Sequence, residues 1–145
     1  MDRGLAVILT VIVGGLIALQ APINAGLGRA TGNIAAAFVS FLFGTLILAV
    51  LVGLGGQGGG LGSTFDVDWY YLLGGALGVA YVFTVLVTVS TIGAGAVAAA
   101  TVTGQLTASV VIDRLGILGL EQQALSIDRL AGVALLLAGT YLVVR

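Results

Sequence analysis

Cysteine, histidine and lysine are all missing from the 145 residues, and proline occurs once. Without cysteine there are no disulfides, thiolate metal sites or cysteine nucleophiles. Without histidine there is no Ser-His-Asp triad and no ordinary zinc site. Charge of either sign is scarce: five arginines and six carboxylates make up 8% of the chain, where a soluble domain carries about a quarter. A net charge of −1 offers little to a phosphate backbone, so nucleic acid is not an expected partner. What is abundant is apolar, 59% of the residues. A monomer with that surface does not stay in water, and lipid is the expected solvent for most of it.

A bilayer core of about 30 Å takes about 20 apolar residues of helix. Five segments qualify, at about 4–27, 34–54, 69–91, 94–112 and 127–144. The expected fold is an all-α integral membrane protein, one transmembrane domain over residues 1–145 with five spans. Thr31 or Asn33 is placed to cap the second helix, and Ser126 the fifth, with Asp128 in its first turn. Trp69, Tyr70 and Tyr71 read as an interfacial belt opening the third span, and Tyr141 as an anchor at the end of the fifth. The third and fourth spans meet at "STIGAGA", which has glycines but no charge, so that connection must be tight. The first apolar run exceeds the 7–15 residues of a cleaved signal peptide, and a retained span is expected.

The glycine-rich loop at 55–65 belongs to a G-x-G-x-x-G match at Gly53, Gly55 and Gly58. A dinucleotide site needs a strand before that motif and a helix after it. Here an apolar helix precedes it, so the segment reads as a flexible connection and no cofactor is expected.

Five spans put the termini on opposite sides of the membrane. Arg3, Arg114 and Arg129 then fall on one side, and Arg29 and Arg145 on the other. So small a bias leaves orientation weakly determined by the positive-inside rule. Either Arg3 or a partner sets it, or copies insert both ways and pair antiparallel. The second arrangement is favoured here on the near-absent charge bias, and an inverted pair would make inward-open and outward-open states equivalent.

Polar groups in lipid are costly unless satisfied, so each one within a span poses a question. Gln20 and Asn24 are four apart on the first helix and share a face. Pro22 lies between them and withholds an N–H from the Ala18 carbonyl, which predicts a kinked hinge with two carboxamides beside it. Carboxamides donate and accept hydrogen bonds, which suits a polar solute. They also bond helices together, and Asn24 sits late enough to reach the interface. On the fourth span Thr101, Gln105, Ser109 and Asp113 recur every four residues and form a slanting polar stripe. Gly104 beside Gln105 permits close helix approach, as do Gly74 and Gly78 on the third span. That span also carries Tyr81, Thr84, Thr88 and Thr91. The threonines can satisfy their own backbone, whereas Tyr81 suits a pocket. Asp113 lies about 12 Å along the axis from Gln105, near one membrane face. It is either an interfacial carboxylate paired with Arg114 or Arg129, the preferred reading, or a coupling group.

The stretches "GGLIALQAPINAGLGRATGNIAAAFVSFLFGTL", "GAGAVAAATVTGQLTASVVIDRLGILG" and "LSIDRLAGVALLLAGTYLVV" resemble the small five-span YdcZ-type family of the drug/metabolite transporter superfamily. The resemblance implies a ten-helix assembly of two antiparallel copies. It also implies a departure: the superfamily's four-span multidrug exporters use a membrane-embedded glutamate on the first helix, and here the nearest polar group is Gln20, which does not titrate. The expected function is alternating-access transport of a small polar solute in the cell membrane of a prokaryote. Gln20, Asn24, Gln105, Ser109 and Tyr81 are the expected substrate contacts, Pro22 the hinge, and Asp113 the candidate for coupling. A lipid or lipid-linked carrier translocase and a non-transporting assembly partner are the alternatives. No nucleophile–base pair can be drawn, so an enzyme is not expected.

Overall fold

The computed structural model describes residues 2–117 and 120–145. Every regular element among them is helical: α1 (Arg3–Thr31), α2 (Asn33–Leu54), α3 (Leu73–Leu115) and α4 (Ile127–Val144). Two 3-10 stretches, Gly58–Asp66 and Trp69–Leu72, connect α2 to α3.

The 47 helical residues from Trp69 to Leu115 would run about 70 Å if unbroken, more than twice a bilayer core. They are broken at Gly93, whose φ of 81° and ψ of 160° are not helical. Two arms result, 73–92 and 94–115, each of spanning length. The α1–α2 junction uses the same device: Gly32 has φ 87° and ψ 150°. Both residues occupy a region of backbone space that only glycine enters without strain. One residue therefore suffices to end one helix and start the next. At Gly32 the N–H bonds the Gly28 carbonyl at 2.8 Å, and its own carbonyl accepts from Ala36 N–H at 2.9 Å.

Residue contacts group the chain into two compact units, Met1–Ser90 and Thr91–Arg145. In the first, Ala36 and Ala37 of α2 pack on Val82 and Leu86 of α3, with Leu27, Phe41 and Tyr81 against them. The small alanines allow close approach. Gly28 is the tightest point. A Cβ there would sit 2.9 Å from the Asn33 side-chain oxygen and 3.2 Å from Leu86. Away from this junction the helices are unpacked. Leu5 to Leu19 on α1 and Leu46 to Leu54 on α2 expose their large apolar side chains, as lipid-facing surface does.

In the second unit the 94–115 arm packs on α4 through hydroxyls as well as apolar atoms. Thr103 is buried and lies 2.5 Å from the Thr140 hydroxyl, which donates to the Ala99 carbonyl at 3.1 Å. Ser126 caps α4, its oxygen accepting from Arg129 N–H at 3.2 Å.

Several boundaries differ from those read in the sequence. Gly32, and neither Thr31 nor Asn33, stands at the start of α2, and no side chain caps it. The Thr31 hydroxyl instead bonds back to the Leu27 carbonyl at 3.0 Å. Trp69, Tyr70 and Tyr71 form a 3-10 turn ahead of α3, stabilised by a Tyr70-to-Asp68 hydrogen bond of 3.0 Å. Most of the glycine-rich segment expected to be irregular is wound into 3-10 helix. Helical geometry also continues through Pro22 without a break in α1.

Candidate functional site

Gln20, Asn24 and Tyr81 come together in the first unit. With Ile17, Ala21, Val82 and Val85 they line a cavity of about 10 Å³, the room of about one water molecule. The spacing of four on α1 stacks the two carboxamides one turn apart, about 6 Å along the axis. Tyr81 is delivered by the 73–92 arm, on the turn whose next residue, Val82, enters the core.

Gln20 faces a second space as well. A groove of about 260 Å³ lies between α1 and α2, lined by Gln20, Ser40, Phe41, Gly44, Thr45 and Leu48. A run of polar groups thus leads from Thr45 and Ser40 on α2, past Gln20, to Asn24 and Tyr81. Ser40 and Thr45 were not singled out from the sequence. Their signal is two hydroxyls, five apart and flanking Gly44, in a span otherwise apolar from Ile34 to Leu54.

The state of these polar groups is informative. Asn24 is 6% exposed, yet among the described residues no side-chain hydrogen bond engages it or Gln20. Nor is any fully buried side-chain nitrogen or oxygen left without a partner there. Gln20, exposed, borders both the groove and the small cavity, whereas Asn24, buried, borders the small cavity alone. Neither lining contains a charged residue. Such a wall offers directed hydrogen bonds and no fixed ion pair.

By contrast, the threonines beside Tyr81 are self-satisfied. Thr84 donates to the Ala80 carbonyl and Thr88 to the Thr84 carbonyl, both at 2.8 Å. Pro22 is exposed, on the side of α1 away from the buried Ala21 and Asn24.

In the second unit Gln105 and Ser109 are exposed. Gln105 lies about 200° round the helix from Thr103, on the side away from the α4 contact. The buried polar group of this unit is Thr103, which the four-residue stripe passed over. Its signal lies in its spacing from buried Ala96 and Val110, seven on each side, one face of a helix. Asp113 pairs with Arg129 at 3.1 Å, both about one-third exposed. Arg129 also donates to Gln123.

Of the three glycines expected to bring helices together, Gly78 faces the Phe41 ring, which a Cβ there would meet at 3.5 Å. Gly74 and Gly104 have open space where a Cβ would stand. Gly28 makes the close approach within the first unit, and the sequence reading did not select it. Among the described residues no group of three or more carboxylates gathers to hold a metal.

A family model described as "Putative inner membrane exporter, YdcZ" matches residues 5–142. That match takes in all four helices and both units. No curated protein and no solved structure matches the chain.

Proposed function

The chain belongs to the YdcZ family of inner membrane exporters, and from that premise we propose that it carries a small polar, uncharged or zwitterionic solute by alternating access. The observation supporting this reading is the pair of carboxamides, Gln20 and Asn24, without protein partners beside Tyr81 and at the end of the α1–α2 groove. Polar side chains that only joined helices would be bonded to neighbours, as Thr103 and Thr140 are.

In the proposed mechanism two copies insert in opposite senses and face each other across their grooves. Part of the apolar face that α1 and α2 expose within one chain would seat the second copy, the rest facing lipid. Gln105 and Ser109, exposed in a single chain, would complete the solute contacts. Pro22 would serve as the hinge, because the free Ala18 carbonyl lets α1 bend there at reduced cost. Asp113 would contribute to coupling only by releasing Arg129.

Flux in proteoliposomes across a panel of amino acids, polyols and amines tests the site. Gln20→Ala is expected to reduce transport of the accepted solute by about tenfold, the loss of one hydrogen bond worth about 1.4 kcal/mol. Unchanged flux for every solute would remove Gln20 from the path.

A further inference from the structure

A cavity of about 270 Å³ opens in the second unit, lined by Thr107, Val110, Val111, Arg114, Leu115, Leu125, Leu130 and Val133. Its walls are hydrocarbon. Thr107, the polar member besides Arg114, spends its hydroxyl on the Thr103 carbonyl at 2.8 Å. Apart from Arg114 the lining offers a polar solute nothing to bond, whereas an acyl chain would match it.

The cavity is built by specific bonds. Gln122 donates to the Arg114 carbonyl at 2.9 Å, and Gln123 N–H to the Asp113 carbonyl at 2.8 Å. These hold Gln122 and Gln123 against the end of the helix, and Leu125 shares the cavity lining with Val110 and Val111. Arg114 stands at the end of the 94–115 arm, at interfacial depth for a span of that length. Among the described residues its guanidinium joins no ion pair. The neighbouring Arg129 is engaged by Asp113 and Gln123. Arg129 is thus paired within the protein, while Arg114 is left exposed beside an apolar slot.

We infer that this cleft binds an anionic phospholipid, with an acyl chain between the 94–115 arm and α4 and the phosphate on Arg114. A cation at the interface above a hydrocarbon slot complements both halves of such a lipid, and basic pockets between membrane helices bind acidic head groups for the same reason. The inference stands on the second unit alone and does not depend on the solute reading.

Native mass spectrometry of the purified protein, titrated with phosphatidylglycerol, phosphatidylcholine and glycerol 3-phosphate, provides the test. The wild type is expected to retain phosphatidylglycerol at least fivefold better than phosphatidylcholine and to ignore glycerol 3-phosphate. Arg114→Gln should erase that preference, Arg114→Lys should keep most of it, and Val111→Trp should fill the slot and lower retention of both lipids. Equal retention of the two lipids by the wild type would overturn the proposal, as would a preference that survives Arg114→Gln. Binding of glycerol 3-phosphate as tight as that of the lipid would refute the acyl-chain half. If Val111→Trp alters the dimer fraction and leaves lipid retention intact, the slot is a subunit contact and the proposal fails.

Discussion

The two units treat their polar groups in opposite ways. In Thr91–Arg145 the buried hydroxyl is spent: Thr103 meets Thr140, Thr140 meets the Ala99 carbonyl, and Asp113 meets Arg129. In Met1–Ser90, Gln20 and Asn24 have no side-chain partner among the described residues; both line a cavity of about one water, and Gln20 also lines the α1–α2 groove. Within a membrane a satisfied polar group is a fastener, and an unsatisfied one that borders a void is available to something that is not protein. On the proposed reading the first set is structural and the second recognises solute.

That division can be broken by swapping the consequences. Removing both carboxamides, Gln20→Ala with Asn24→Ala, is expected to lower flux about a hundredfold, two bonds of about 1.4 kcal/mol each, with unfolding temperature nearly unchanged. Purified protein scanned by Trp69 fluorescence alongside the flux assay checks both. A large drop in stability would move the carboxamides into the fastener class.

Next in size are the junction glycines. Gly32→Val and Gly93→Val force a β-branched residue into positive φ and should each destabilise the protein by about 1–3 kcal/mol, read as loss of folded yield in detergent. Equal stability to wild type would mean that the one-residue break is not the geometry in the membrane. Thr103→Val removes the inter-helix bond at near-constant volume. It should cost about 0.6–1.7 kcal/mol of stability while flux per folded molecule stays the same. A selective flux defect would show that the second unit's hydroxyls also touch solute. The smallest effect belongs to Asp113→Asn. Its pair is about one-third exposed, so about 0.2–1 kcal/mol is expected at low salt, and less at high salt. A full loss of transport would instead make the Asp113 carboxylate a coupling group.

The spans were legible because lipid imposes a length and a composition that short-range chemistry cannot disguise. The α4 bounds expected from the sequence, 127–144, coincide with Ile127–Val144. The junctions were less legible. The tight connection expected within "STIGAGA" does fall at Gly93, but a glycine signals backbone freedom without saying how it is used, so the positive φ of Gly93 and Gly32 was not read. The site was half legible. Spacing of four placed Gln20 and Asn24 on one face, and Tyr81 stood out as the hydroxylated aromatic of its span. Ser40, Thr45 and Thr103 were hidden because a hydroxyl can bond its own helix, as Thr84 and Thr88 do, and only packing tells which hydroxyls turn outward. Gly28 was hidden for a related reason: its role depends on Asn33 and Leu86 arriving beside it, which is a tertiary event.

The chain's lack of cysteine makes the central contrast directly measurable. Single cysteines at Gln20, Asn24 and Thr103, in membranes, would be exposed to a charged, membrane-impermeant thiosulfonate. The account predicts rapid modification at the exposed position 20, slowed by transported solute, slower modification at the buried position 24, and none at 103. Equal protection of all three positions would contradict it, because the carboxamides would then be sealed like the hydroxyl they are contrasted with.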